Sequence, residues 1–335
     1  MSEELYRFDS LDELYQTAEK VPVVDRHEVY AHHEDKDEWE EIPYRDSLWT
    51  DDLRATGVVS SSRDFYNIIQ YGDILETVGD AVDRHQDSSE LDVTGTVSLS
   101  PTAHKMSAKI GLTGDTTVYA ADDDPIDLGL QIRSGHSGFH AVKYDVGGMR
   151  QICSNGMMAF DGRLHFEQTH SEPFQPSLAY NAVDSVVESP EIVENRIEEA
   201  QNQTFLNQDE ALLVLLEQGI GEYLEQPVPD LLNSLHDEID DRDSPTLWET
   251  YNAATRALTH YSRDVPDYEL DTGFERAAAL LENGYSELPD ATKLGKETVE
   301  DRANQFIEDQ DETEPYWEGE EESLRELMAE HQTQA

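Results

Sequence analysis

The fold is decided by residues 91–144, which read LDVTGTVSLSPTAHKMSAKIGLTGDTTVYAADDDPIDLGLQIRSGHSGFHAVKY. Val, Thr, Ser and Gly dominate this stretch, and short apolar runs alternate with turn-forming residues, which is typical of β-strands. Strands are predicted at Val93–Leu99, Lys105–Leu112, Thr116–Ala121, Ile126–Ile132 and His140–Tyr144, with turns at Gly114-Asp115 and Gly147-Gly148. The sequence therefore predicts a central, mainly antiparallel sheet over about residues 93–166.

Helical periodicity surrounds this sheet. Residues 62–83 carry apolar side chains at helical spacing and predict a helix that packs on the sheet. After Pro176 the pattern becomes helical again, through Ala179–Gln203, Glu210–Gln218 and Asp230–Ile239. Thr246 and Glu249 form a capping box in front of an apolar stripe along one face of Leu247–Tyr261. These elements together predict an α+β fold.

Composition divides the chain into three parts. Residues 1–50 combine a short helix at Leu11–Glu19, an extended piece at Val21–His32 and an acidic loop that reaches Glu41, so we expect a peripheral N-terminal segment. Residues 51–285 form the core α+β domain, in which the sheet is followed by helices over 177–285. Residues 286–335 are almost wholly polar and include the acidic stretch Glu308–Glu326. This last part is predicted to be a helical or disordered tail.

The charge is extreme, with 74 acidic against 23 basic residues and a net charge of -51 in 335 residues. Repulsion of this size opposes the compact state in dilute buffer, but the aromatic content of 8% and the apolar periodicity argue against disorder. We interpret the acidity as adaptation to a cytoplasm of molar salt, where the Debye length is about 3 Å. The acidity then says little about binding partners.

The single cysteine, Cys153, excludes an intramolecular disulfide framework and fits a reducing compartment. The first residues, Met1–Tyr6, have neither the basic nor the apolar region of a signal peptide. The longest purely apolar run, Ala211–Leu216, is far shorter than the roughly 20 residues of a membrane span. We therefore expect a cytoplasmic protein with no membrane role.

Carboxylates are scarce between Val93 and His170. A buried β core explains this scarcity, and so does a face left open to a phosphate backbone. For the second interpretation the candidate nucleic-acid-binding residues are Arg133, Phe139, Lys143, Arg150, Asn155 and Arg163. Arg150 could fork onto a phosphate, or it could form an internal ion pair with Asp145 or Asp161.

Catalytic and metal motifs are incomplete. Cys153 could act as a nucleophile with His136 or His170 as its base, although a lone cysteine among apolar neighbours is more often packed core. Histidines near the N-terminus, at positions 27, 32 and 33, lack zincin spacing because Ala31 stands where the second histidine belongs, so a solvated loop is favoured there. Neither a Walker A motif nor G-x-G-x-x-G occurs. No metal and no cofactor is predicted.

Several stretches resemble a phage/plasmid-like family known as domain of unknown function 932. The chain resembles a member of haloarchaeal type. They are Thr56–Val59 with Tyr66-Asn67, Ser134–Gly138, Arg150–Met157 with the later His170, and Thr246–Trp248 with Tyr251–Ala253 and His260. Ser137 stands where that family usually has Asp, which argues against acid chemistry at this position. The resemblance spans about residues 50–285, implies a setting in mobile genetic elements and assigns no reaction.

Three functions compete on this sequence. The first is binding or annealing of single-stranded DNA or another single-stranded nucleic acid, with histidines and Phe139 stacking on bases. The second is a non-catalytic assembly protein whose acidic helical region binds protein partners. The third is a hydrolase or transferase that depends on Cys153 and a histidine, and we expect a binding protein rather than an enzyme. The sequence predicts no particular oligomeric state.

Overall fold

A computed structural model of the chain describes residues 4–33, 37–62, 64–86, 89–121, 124–150, 157–205, 207–239, 244–263, 270, 272–274 and 276–281. The structure divides into two compact units, with the boundary in sequence between Arg196 and Ile197. Helices and a mainly antiparallel six-stranded sheet give the α+β fold that the sequence predicts. Within the described residues, no helix is both long and apolar enough to cross a membrane.

The first unit holds both sheets. In chain order its elements are β1 (Glu4–Phe8), α1 (Leu11–Lys20), β2 (Val24–His33), β3 (Glu38–Thr50), β4 (Ala55–Ser60), α2 (Tyr71–Asp83), β5 (Leu91–Leu99), β6 (Lys105–Ala121), β7 (Asp124–Gly135), β8 (Val142–Arg150), β9 (Met157–Gln168) and α3 (Pro176–Glu188). The six-stranded sheet has the order β1-β5-β6-β7-β8-β9, and the three-stranded sheet has the order β2-β3-β4.

The six-stranded sheet is longer and more continuous than predicted. Gly114-Asp115 does not end a strand but lies inside β6, at an irregularity where the pairing with β7 shifts between Leu112 and Thr117. Gly147-Gly148 lies inside β8, where Gly147 faces Gly129 of β7. A Cβ on Gly129 would come within 2.1 Å of the Ile110 carbonyl oxygen. These glycines therefore permit close strand contact, so the predicted turns were wrong.

One face of the six-stranded sheet forms the core of the first unit. Its side chains are apolar and fully buried, as at Val97, Ile110, Leu128 and Tyr144. Helix α3 packs on β6 to β9, α1 packs on β1 and β5, and α2 contacts both helices. Burial of such side chains contributes about 25 cal/mol per Å² of apolar surface.

Helix α2 begins later than predicted. The expected helix over residues 62–83 starts only at Tyr71, and residues 64–70 are irregular. The side chain of Gln70 accepts a hydrogen bond from the Val24 N–H at 3.0 Å and donates to the Val24 carbonyl at 2.8 Å. Tyr66 packs with Val24, Leu48 and Val59 in a small core of its own. Tertiary contacts thus take the place of the first helical turns.

The N-terminal residues contribute to both sheets. Helix α1 matches the predicted Leu11–Glu19, and β1 pairs with β5 along the six-stranded sheet. The predicted acidic loop around Glu41 was wrong, because Glu41 lies in strand β3 opposite Tyr30. The histidines His27 and His32 likewise lie on strand β2 rather than in a solvated loop.

The second unit is helical. Its elements include α5 (Gln208–Glu217), a 3-10 turn at Ile220–Tyr223, α6 (Pro227–Glu238) and α7 (Leu247–His260), and α4 (Pro190–Asn202) crosses the unit boundary. The predicted helix Ala179–Gln203 is two helices, because Pro190 has no N–H and starts a new one after Ser189. Residues 286–335, predicted as a helical or disordered tail, lie outside the described residues.

Helix α7 carries the predicted capping box. The Glu249 N–H donates to Thr246 Oγ1 at 3.1 Å, and the Glu249 carboxylate accepts from the Thr246 N–H at 2.7 Å. The helix was expected to bury one face, but Thr250, Asn252 and Thr255 are buried together with its apolar residues. Such burial is typical of the central helix of a helical unit.

Candidate functional site

Segments far apart in sequence meet at one end of the six-stranded sheet. A Cβ on Gly57 in β4 would lie 2.5 Å from the carbonyl oxygen of His136 and 2.9 Å from the Cα of Ser137, so only glycine allows the two backbones to touch. The loop before α2 reaches the same place, because the main-chain N–H of Asn67 donates to the carbonyl of His170. These are segments on which the family resemblance rests.

Two buried histidines lie at the centre of this meeting point, and we call His136 and His170 the histidine pair. Their ring centroids are 6.2 Å apart in an edge-to-face arrangement. Tyr71 packs against His136 with ring centroids 4.3 Å apart, and Tyr66 stacks on His170 at 4.9 Å with the rings nearly parallel. The pair is therefore enclosed by aromatic rings.

Burial keeps both histidines neutral. Desolvation, and to a smaller extent the nearby His170, lower the pKa of His136 to about 3. Desolvation also lowers the pKa of His170, opposed by a hydrogen bond to the Asn67 backbone. Tyr71 is fully buried and its hydroxyl donates to the carbonyl of Ala103 at 3.1 Å. At neutral pH each imidazole therefore carries one N–H and one free lone pair.

Several polar atoms around the histidine pair are buried without a hydrogen-bond partner. They are the hydroxyl oxygens of Tyr66, Ser134, Ser137 and Tyr144, both ring nitrogens of His136, and Nε2 of His170. Ser134 and His136 follow Ile132 at two-residue intervals, and Ile132 faces Tyr144 on the next strand. Because side chains along a strand alternate between the two faces of the sheet, these four side chains point to the same face. Buried polar groups without partners are rare and point to a bound ligand, ion or water.

Basic side chains also lie close to two further histidines, His104 and His140. Burial and the charge of Lys105 lower the pKa of His104. Burial, Lys105, His104, His170 and Lys143 all lower the pKa of His140. Every charged neighbour that shifts these two histidines is basic. This end of the sheet therefore differs in charge from a chain whose net charge is -51.

Exposed aromatic rings adjoin the buried ones in sequence. Phe139 is 91% exposed in the loop between His136 and His140, and Phe65 is 73% exposed next to Tyr66. We call Phe65 and Phe139 the aromatic rim. Exposed rings of this kind can stack on planar ligands.

The predicted nucleic-acid residues are only partly gathered at this site. Phe139 belongs to the aromatic rim, and the charge of Lys143 lowers the pKa of His140. Arg133 faces Lys143 across the strands but forms an ion pair of 2.6 Å with Asp145, which also contacts His165. Cys153 and Asn155, and the side chains of Arg150 and Arg163, lie outside the described residues.

The remaining metal candidates do not assemble. His32 Nε2 lies 3.1 Å from the carboxylate of Asp37 on the β2–β3 hairpin. Among the residues that the structure describes, no group of three or more His, Cys, Asp or Glu side chains is arranged to hold a metal ion.

The fold and the site define an α+β protein with a buried histidine pair and exposed aromatic rings on neighbouring loops. Residues 57–305 match the family described as a domain of unknown function (DUF932), and the chain belongs to this family. Comparison with curated proteins and with solved structures gave no match.

Sequence reasoning missed much of the site. It named His136 and His170 as possible bases for Cys153, but it did not pair them with each other or with Tyr71. Ser134 and Tyr144 occur in strand-forming runs, where nothing distinguishes them from packed core residues. The two-residue alternation of Ile132, Ser134 and His136 was the available signal, because it places two polar side chains on an otherwise apolar face.

Proposed function

We propose that this protein binds single-stranded nucleic acid, and anneals it, in the cytoplasm of a halophile as part of a phage- or plasmid-like element. The observation that carries the proposal is the exposure of Phe139 beside a cluster of basic side chains. The setting rests on the family resemblance and on the acidic composition. The single cysteine is compatible with a reducing cytoplasm.

Salt decides which contacts can supply the affinity. Phosphate contacts weaken steeply as salt concentration rises, because binding no longer gains from the release of counterions. Base stacking on aromatic rings contributes about 1–3 kcal/mol per base and depends less on salt. Phe139 and Phe65 are exposed enough to stack on two bases. Single strands should therefore bind better than duplexes, whose base faces are covered.

The charge around the rim supports the same function. The charges of Lys105 and Lys143 lower the pKa of His140, which follows Phe139 in the loop. In a chain of net charge -51, a nucleic-acid backbone would be repelled from most of the surface. Phe139 of the aromatic rim is thus next to a histidine whose neighbours include two lysines, which a polyanion could contact.

The test uses the full chain and a fluorescently labelled single-stranded oligonucleotide in molar KCl. We expect an anisotropy increase with the wild-type protein at micromolar concentration and a loss of about tenfold in affinity for Phe139→Ala, as expected for one stacked base. Tyr119→Ala is the matched control, because Tyr119 is 58% exposed at the other end of the β6–β7 hairpin. Circular dichroism establishes that all variants are folded.

Two results would contradict the proposal. One is the absence of any anisotropy change with the wild-type protein. The other is equal affinity of the wild type, Phe139→Ala and Phe65→Ala. Either outcome would favour an assembly protein, and cross-linking in molar salt would then identify its partners.

A further inference from the structure

His170 has the hydrogen bonding of a metal-ligating histidine. Its Nδ1 lies 2.9 Å from the carbonyl oxygen of Asn67, which can only accept, so Nδ1 carries the proton. Nε2 therefore holds the lone pair, and it is buried without a hydrogen-bond partner. Metal-bound histidines commonly donate their other N–H to a backbone carbonyl in this way, which fixes the tautomer and the ring orientation.

His136 supplies a second free nitrogen. The ring is fully buried, and neither of its nitrogens has a hydrogen-bond partner, so either tautomer leaves one lone pair unused. Two imidazoles that share one metal at about 2.0–2.1 Å per nitrogen place their ring centroids roughly 5 Å apart at a tetrahedral angle and roughly 6.5 Å apart when they lie opposite each other. The centroids of the histidine pair are separated by 6.2 Å, which corresponds to a wide N–metal–N angle.

One oxygen donor adjoins the pair in sequence. The Ser137 hydroxyl is buried without a hydrogen-bond partner. Tyr66 stacks parallel on His170, so its hydroxyl lies outside the imidazole plane that would contain a bound metal. Ser137 follows His136 in the chain. Hydroxyl oxygens or water could thus complete the coordination of an ion that the two histidines hold.

The neutral state of the pair favours a cation over an anion. Binding of an anion would require protonated imidazoles, which burial opposes at both positions. A metal ion needs neutral imidazole. The lysine charges at this end of the sheet act on His104 and His140, and neither lysine is among the causes that shift His136 or His170.

We propose that His136 and His170 bind one divalent transition-metal ion of the nitrogen-preferring class, such as Zn(II), Ni(II) or Cu(II), with water or the Ser137 hydroxyl as further oxygen donors. The ion would join the loop after β7 to the turn after β9, and the turn after β9 is hydrogen-bonded to Asn67 in the loop before α2. Phe139 belongs to the loop after β7 and Phe65 to the loop before α2, so the ion would hold the aromatic rim in place. The metal site stands independently of nucleic-acid binding.

The experiment uses the full chain, stripped of metal with a chelator and dialysed into molar KCl. Calorimetric titration should show that the wild type binds one equivalent of Zn(II) with high affinity. His170→Gln keeps a polar side chain of similar size but lacks the imidazole. The single variants His170→Gln and His136→Ala should each fail to bind this equivalent of Zn(II). Zn(II) should also raise the melting temperature of the wild type and not that of His170→Gln, since only a site in the folded protein stabilises it.

His32→Ala is the matched control for surface binding, because His32 lies near Asp37 on the exposed hairpin. This variant should bind the same single equivalent of Zn(II) as tightly as the wild type. The proposal is overturned if the wild type binds no tight equivalent. It is also overturned if folded His170→Gln binds as the wild type does, or if His32→Ala removes the binding.

Discussion

At the scale of single residues, the site depends on a glycine. Gly57 allows strand β4 to touch the backbone at His136 and Ser137, which holds the loop after β7 in place. Close to this contact, His170 Nδ1 is hydrogen-bonded to Asn67, and the other three ring nitrogens of the histidine pair are buried without a hydrogen-bond partner. A side chain at position 57 would force the two backbones apart.

We expect Gly57→Ala to lower the free energy of unfolding by about 1–3 kcal/mol, as overpacking usually does. Urea unfolding in molar KCl measures this change. Val58→Ala is the control, because Val58 is the next residue of β4 and its side chain is 55% exposed. Equal stability losses for the two variants would show that the backbone contact at Gly57 is not tight.

At the scale of secondary-structure elements, local chemistry sets where α7 begins. The capping box satisfies two N–H groups at the first turn of a helix that is buried along most of its length. Helix α2 shows the opposite case, because its first turn has no side-chain cap and the residues before it are held by tertiary contacts. The two helices therefore differ in how far sequence alone could place them.

Thr246→Ala should destabilise the protein by about 1 kcal/mol, within the usual range of 0.5–2 kcal/mol for loss of a helix cap. The reason is that the Glu249 N–H would lose its acceptor in a buried position. Thermal unfolding measures the effect, and Thr246→Ser, which keeps the hydroxyl, should restore most of the stability. A melting temperature of Thr246→Ala equal to that of the wild type would count against the importance of the cap.

At the scale of the whole molecule, the charge of -51 sets the conditions for folding. Carboxylates repel one another over about 10 Å at 0.1 M salt but only about 3 Å at 1 M. Lowering KCl well below molar should therefore reduce the melting temperature and the helical circular dichroism signal. Unchanged spectra and melting temperature in dilute buffer would contradict the interpretation of the acidity as adaptation to salt.

By itself, the sequence determined the fold class, the family and several local elements. Alternating apolar residues predicted most strands of the six-stranded sheet, and the capping box predicted the start of α7. These features could be predicted because they depend on residues only a few positions apart, where backbone geometry and side-chain spacing are nearly independent of the rest of the chain.

Only the tertiary structure decided the site. Asn67 and His170 are 103 positions apart, and nothing local to either residue indicates that they form hydrogen bonds with each other. The strand positions of Gly114 and Gly147 and the late start of α2 likewise depend on partners far along the chain. Strand register and packing determine which distant residues meet, and both are settled by burial of the whole apolar face rather than by any single segment.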